Sequence, residues 1–359
     1  MNGVLPQKET QIGPDRKCPA DGERKDMEQS IRRFRLEYDY LSNFYPACVR
    51  VDGLEYLSSE AAFQAAKCAK AEDRLLFTEL NSNDSKRLGR KIPVRSDWEN
   101  VRIGEMEKVV RAKFTQNPHL AQFLVETGEA ELVEGNSWHD TFWGVDLKTG
   151  EGENNLGKIL MALRENFRQN GIPAQENVPP CRQEVSADDI LVQFREITQV
   201  PCDCIVNATN ETLLPNDVVD IAIHRAAGPE LLEVCSTLEG CGVTEAKLTS
   251  GFRLMAAYVI HTVGPHYGAK DDAALLGATY RNVLDLAAEH GIHSIAFPAI
   301  STGRFSYPKK AATKIAVHSV RQWKREHPEK PMEVLFADVD LTIYRYFCEA
   351  LNDSEGNPC

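Results

Sequence analysis

Between residues 170 and 189 the chain sets Gly171, Pro173, Pro179 and Pro180 among polar side chains, a composition that neither a helix nor a strand continues. A chain broken there must fold as two units, and its 359 residues are enough for each to bury a core. The two sides have different rhythms. Before the break, helical patterns run over 56–73, with Ser58 or Ser59 as its cap, over 100–115 and over 156–168, with only short extended pieces between them. After it, β-branched runs at 190–194, 205–206, 258–263, 294–300 and 334–337 are separated by helical patterns such as 218–227, 280–290 and 308–324. That alternation predicts α/β layering around a mostly parallel sheet. The expected organisation is a disordered tail over 1–29, a helix-rich α+β domain over 30–169, a linker over 170–188, an α/β domain over 189–352 and a short tail over 353–359.

No apolar run approaches the ~20 residues that cross a bilayer, and residues 1–29 lack the apolar core of a secretory signal. A membrane partner is therefore not expected. Ten cysteines without paired spacing fit reduced thiols and a cytoplasmic or nuclear location, and the lone Cys202-x-Cys204 reads as strand packing, so no metal is expected. The net charge of -12 argues against a general nucleic-acid coat, which needs basic residues to neutralise phosphates. Lys86, Arg87, Arg90, Lys91 and Arg95 nevertheless fall within ten positions, either as a phosphate site or as a solvated basic face.

The first half carries a series that a simple core would not need: Ser42-Asn43-Phe44, Ser59-Glu60, Phe63-Gln64-Ala65, Lys67, Trp98, Asp140 and Trp143-Gly144, then Asn154-Asn155-Leu156-Gly157-Lys158. Carboxylates and tryptophans at such positions suit a site that binds a flat polar ring and acts on it. Glu60, Gln64 and Lys67 stand at i, i+4 and i+7 and project from one helix face, which is either a site or an exposed polar face with weak pairs. Asp140, between Trp138 and Trp143, would have its carboxyl pushed up if buried, or else serves as a turn residue. Trp98 is a stacking platform or an ordinary anchor.

From about residue 31 to 167 the chain resembles the NADAR family, through L-S-N-F, D-G, S-E-x-x-F-Q-A-x-K, L-G-R, the Lys113-Phe114 pair, D-x-x-W-G and N-x-L-G-K-x-L-M-x-L-R. The resemblance implies hydrolysis of N-glycosidic bonds, with Glu60, Trp98 and Asp140 essential. It implies Asn43, Phe44, Gln64, Lys67, Arg90, Trp143, Gly144 and Asn154 as candidate substrate contacts. It further implies that some members act on intermediates of riboflavin synthesis and others on ADP-ribosylated guanine in DNA. The chemistry fits such a set. Breaking a ribose C1′–nitrogen bond builds positive charge on the sugar, which a nearby carboxylate stabilises, while a second acid protonates the departing nitrogen. Glu60 is assigned the first role, Asp140 the second, and Trp98 or Trp143 the flat surface, assignments that the residues alone leave open to exchange. No cofactor is required.

In the second half, the strand-loop-helix passage through Asn207-Ala208-Thr209-Asn210 to Asp220 and the loop Ser301-Thr302-Gly303-Arg304-Phe305 both lie where ligands bind in open α/β sheets. With Val259-Ile260-His261-Thr262-Val263-Gly264-Pro265 they resemble a macro domain over about 189–351, which implies a three-layer fold with a mixed sheet and an ADP-ribose cleft lined by Glu196, Asn207, Asn210, Asp220 and 301–305. Several positions depart from that pattern. A glycine run is replaced by Pro215-Asn216-Asp217-Val218, the adenine-selecting Asp is Glu196, Val339 stands where an aromatic is expected, and Ser306 ends the second loop. Weak or altered ligand binding is expected there. The leading expectation is an N-glycosidase that removes ADP-ribose from guanine in DNA, with the second domain assisting or structural. The alternatives are an N-glycosidase on phosphorylated ribosylamino-pyrimidines and an ADP-ribose-binding module without catalysis.

Overall fold

The structure, a computed structural model, describes residues 30–173 and 184–353. The tail expected over 1–29, most of the linker and nearly all of the C-terminal tail lie outside the described residues.

The first domain packs five helices with three small two-stranded pairs. β1 (Ser30–Ile31) pairs with β4 (Glu131–Leu132), β2 (Val49–Val51) with β3 (Leu54–Tyr56), and β5 (Gly135–Asn136) with β6 (Val145–Asp146). The helices are α1 (Ser59–Ala66), α2 (Ser82–Gly89), α3 (Trp98–Gln116), α4 (Pro118–Glu126) and α5 (Asn155–Asn170). Their apolar faces close one core that includes Phe77, Val109, Phe114, Leu124, Leu132, Leu160 and Phe167. Ser58 caps α1 by accepting from the Ala61 amide at 3.2 Å. The helix expected over 56–73 stops at Ala66, because the chain leaves it to pair across the sheetless gap: Arg95 donates its amide to the Lys67 carbonyl, Ala69 donates to Pro93, and Cys68 bridges Val94. A short 3-10 turn, Ala71–Phe77, takes up the remainder.

The second domain is a seven-stranded sheet between two helical layers. Its strands are β7 (Val185–Ala187), β8 (Ile190–Phe194), β9 (Cys204–Ala208), β10 (Ala246–Ser250), β11 (Tyr258–Thr262), β12 (Ser294–Phe297) and β13 (Glu333–Asp338), in the spatial order β10-β11-β9-β12-β13-β8-β7. The inner strands run parallel and the two edges antiparallel. Alternation along the strands sorts side chains to opposite faces. Cys204, Val206, Ile295, Phe297, Val334 and Phe336 face α8 (Asp272–Glu289), α9 (Lys309–Glu326) and α10 (Leu341–Asn352). Ile205, Ala296, Leu335 and Ala337 face α6 (Val218–Ala227) and α7 (Pro229–Thr237). β7 falls inside the segment expected to be linker: Val185 pairs with Val192, so the sheet gains an edge strand that a three-residue run downstream of Pro179 and Pro180 did not announce.

The domains share an interface. Leu57 of the first is buried in the core of the second. Arg225 of α6 reaches into the first domain, donating to the Glu37 carbonyl at 3.2 Å, to Asp39 at 2.8 Å and to the Tyr45 hydroxyl at 3.2 Å, with its guanidinium over the rings of Tyr40 and Phe123. His119 pairs with Glu196 at 3.2 Å, and Arg345 with Glu79 at 2.7 Å. Six described cysteines are free thiols, but Cys48 is disulfide-bonded, which corrects the expectation of reduced thiols throughout. Among the described residues no helix is long and apolar enough to cross a membrane, and no group of three His, Cys, Asp or Glu side chains is placed to hold a metal ion.

Candidate active site and the cleft between the domains

The face of α1 that carries Glu60 and Gln64 is buried, not solvated: they are 6% and 5% exposed. Gln64 donates to a Glu60 carboxylate oxygen at 2.8 Å. The segment before α1 is fastened to its first turn, since the Glu60 amide donates to the Asn43 carbonyl at 3.0 Å and the Ser59 hydroxyl to the Asn43 side-chain oxygen at 3.0 Å. Asn43 completes its bonding by donating to Met106 Sδ at 3.0 Å, so it holds the helix start in place. Burial pushes the Glu60 carboxyl up, against the Gln64 hydrogen bond and the charges of Lys86 and Lys67.

Two ammonium groups and a set of rings surround this carboxyl. Lys67 Nζ lies 5.5 Å from the Phe63 ring and 5.8 Å from Trp98, and burial lowers its affinity for the proton. Lys86 Nζ lies 5.1 Å from Phe44 and 5.9 Å from Trp138. Trp98, at the head of α3, and Trp143 flank Phe63 at 5.2 and 5.3 Å between ring centres. The basic cluster read from the sequence therefore divides. Arg87 pairs with Asp84, and Arg95 with Asp97 and Glu105, whereas Lys86 turns toward Glu60 and Arg90, exposed at the end of α2, places its charge near Lys67.

Asp140 is half-buried, and its Oδ1 accepts from the amides of Phe142 at 3.2 Å and Trp143 at 2.9 Å, ordering the turn that presents Trp143. This is the turn role that its sequence surroundings left open. Burial raises the neighbouring Glu134 carboxyl to about 7, with the charge of Asp140 adding to the effect. One Glu134 oxygen is buried without a hydrogen-bond partner. Sequence reasoning passed over it, because a single Glu before Gly135 carries no local signal; its state depends on residues brought together by the fold. Lys113, wholly buried, donates to the Ser42 carbonyl at 2.7 Å and is pulled down to about 7 by burial, behind the same loop.

Gly144 and Asn154 belong to the scaffold of the site. A Cβ at Gly144 would lie 2.1 Å from the Glu134 carbonyl, so only glycine lets the two strands approach. Asn154 accepts from the Glu134 amide at 3.0 Å and donates to the Leu132 carbonyl at 2.8 Å, which leaves it bracing the Glu134 strand.

The C-terminal edge of the large sheet opens into a cavity of about 1080 Å³ whose other wall is the first domain. Asn210, Asp217, Ser301, Gly303, Arg304 and Phe305 line it from one side, and Phe44, Asn81 and Ser82 from the other. Thr302 joins that lining and donates its hydroxyl to the Ala299 carbonyl at 2.8 Å. Asn207 and Asp220 sit behind the wall: Asn207 donates to Asp220 Oδ1 at 2.7 Å and Thr209 to Oδ2 at 2.9 Å. Glu196 is outside the cavity altogether, spent on His119 and on Tyr45 in the domain interface, which holds its carboxyl below the usual range.

The NADAR domain family matches residues 31–168 and the Macro domain family residues 206–316. A macro domain-containing protein of Ralstonia nicotianae is 49% identical over 164 residues, 44% of this chain and 92% of that protein. The chain belongs to the macro domain family, with a NADAR domain preceding it. The ADP-ribose glycohydrolase MACROD1 of Bos taurus is 41% identical over 182 residues, 49% of this chain and 56% of that protein. Among solved structures, a Trypanosoma brucei macrodomain in complex with ADP has a TM-score of 0.44 and 38% identity, covering 45% of this chain and 69% of that one. The NADAR domain contributes the buried Glu60 carboxyl, and the macro domain contributes a cleft that the NADAR domain walls.

Proposed function

We propose that the NADAR domain is an N-glycosidase that removes the ADP-ribosyl group from guanine in DNA. The observation that carries this reading is Glu60: a buried carboxyl with its charge opposed by Lys67 and Lys86, beside aromatic faces at Trp98 and Trp143. A carboxylate so placed stabilises positive charge on C1′ as the bond to the base nitrogen breaks, and takes the proton of the incoming water. Lys67, Lys86 and Arg90 supply the cations that a phosphate-bearing ribosyl group needs. The departing nitrogen receives its proton from Glu134, whose carboxyl is half-protonated near neutrality. Asp140 holds Trp143 against the flat base. The similarity to MACROD1, an ADP-ribose glycohydrolase, supports ADP-ribose chemistry for the chain at a general level.

The same cations suit a ribosylamino-pyrimidine phosphate. Incubation of the purified chain with guanine-ADP-ribosylated single-stranded DNA and, in parallel, with that small substrate separates the two. Release of ADP-ribose from DNA supports the proposal; cleavage of the pyrimidine compound alone replaces it, and stoichiometric ADP-ribose binding without any turnover removes both.

A further inference from the structure

Trp138 is 52% exposed, yet the backbone that carries it is fastened on both sides. It stands in the loop between β5 and β6, which buried Asn136 ties down. The Asn136 side-chain oxygen accepts from the amides of Trp138 at 3.2 Å and Asp140 at 3.0 Å, and its nitrogen donates to the carbonyls of Asp140 at 2.7 Å and Val145 at 3.2 Å. The next residue, His139, takes a left-handed φ of 62°, and its imidazole is bonded to buried Asp146. Trp98 and Trp143 pack against the core of the domain, whereas this indole is held out in water by a loop with buried anchors. Tryptophan is usually covered, so a fixed and exposed ring invites a partner.

The charges beside it are positive. Lys86 Nζ lies 5.9 Å from the Trp138 ring and 5.1 Å from Phe44, and its charge also acts on the Glu60 carboxyl. Arg90 follows one turn on, so the two stand on one face of α2. Neither enters an ion pair with a described residue, while Arg87, off that face, is held by Asp84 at 2.9 Å. At its other end the loop carries Phe142, covered by the Arg102 guanidinium at 3.5 Å, and Trp143, edge-on to Phe142 at 4.8 Å and beside Phe63 of α1. One loop therefore presents a flat group at the Glu60 site and a second in solvent, with Lys86 reaching the surroundings of both.

We propose that Trp138 is a stacking platform for the nucleotide that adjoins the modified guanine, with Lys86 against the phosphate that joins the two. Every base offers a π-face, so such a platform grips a single strand without reading its sequence. It also lets a chain of net charge -12 hold a polynucleotide, because the grip is confined to one edge and needs no general basic coat. The inference rests on the N-glycosidase reading of Glu60 and adds a preference for an oligonucleotide over a free nucleotide.

Steady-state cleavage of an ADP-ribosylated guanine nucleotide, and of the same guanine within a single strand of about ten nucleotides, tests it. The wild type is expected to show the lower KM on the oligonucleotide. Trp138→Ala is expected to raise KM on the oligonucleotide about fivefold or more relative to KM on the nucleotide, the size of one lost base stack. The ratio of the two kcat values stays where it was, and Trp138→Phe keeps most of the preference. Equal wild-type KM values, or a smaller relative shift in folded Trp138→Ala, overturn the proposal and leave cleavage at Glu60 standing. Cleavage of neither substrate by the wild type overturns the N-glycosidase reading and this inference with it. Trp138→Leu, which has apolar bulk without a flat face, repeats the comparison if the alanine variant does not fold.

Discussion

In the proposed reaction the buried Glu60 and the half-buried Glu134 carry opposite demands: one ionises to meet a cationic sugar and the other keeps a proton to give away. Glu134 folds with its carboxyl at about 7, above its ordinary 4.5. Its ionisation therefore costs the folded state, and stability falls as pH climbs from about 4.5 through 7. Activity that uses it as a donor declines over the upper part of the same range. Glu134→Gln is expected to abolish the alkaline fall in kcat between pH 6 and 8, to lower kcat by roughly 10²-fold or more, and to flatten the fall in Tm; an unchanged pH profile would remove Glu134 from the proton path. Glu60, Gln64 and Lys67 were legible in the sequence as one helix face, because i, i+4, i+7 spacing is local. That this face is buried was not legible, and neither was Glu134, since both follow from contacts with α2, α3 and the Trp138–Trp143 turn. Gly144 and Asn154, expected as substrate contacts, also brace the Glu134 strand, a role that a motif alone does not announce.

Helix limits were read unevenly: α8 opens at Asp272, well before its pattern at 280, yet ends within a residue of it at Glu289, while the pattern for α1 overran the helix. Ser58 announces α1 by its position before Ser-Glu, but the helix ends at Ala66 because the 93–95 segment, distant in sequence, captures the backbone that follows. α6, Val218–Ala227, begins and ends where its pattern does, bounded by Asp217 and Gly228. Ser58 also accepts from the hydroxyl of Ser82, which heads α2 and lines the inter-domain cavity. Ser58→Ala is expected to cost about 1 kcal/mol of stability in urea unfolding, the usual worth of such a cap, and to reduce kcat more than it alters KM because Glu60 lies in the first turn that this cap holds. An effect on stability alone would mean that the cap does not position the carboxylate.

At the scale of the molecule, the α/β layering and the division into two domains follow from patterns along the chain, whereas the interface does not. Arg225, inside a helical run, gave no sign that it would cross to Asp39 and Tyr45, nor Glu196 that it would pair with His119. These contacts fix the NADAR domain as one wall of the macro cleft and remove Glu196 from it. Arg225→Ala leaves Asp39 without its partner in a largely buried setting and is expected to destabilise the chain by about 3 kcal/mol, read as a lower midpoint in denaturant; a loss below about 0.5 kcal/mol would show that the domains do not depend on this contact.

The central claim is that Glu60 breaks the bond between ribose and base. Its most direct test follows ADP-ribose released by mass from guanine-ADP-ribosylated single-stranded DNA, with wild type and Glu60→Gln side by side and the folding of both checked by thermal unfolding. The account predicts release by the wild type and a loss of roughly 10³-fold or more in the variant at an unchanged or higher Tm, a size typical of removing an acid–base group. Undiminished release by folded Glu60→Gln would contradict it.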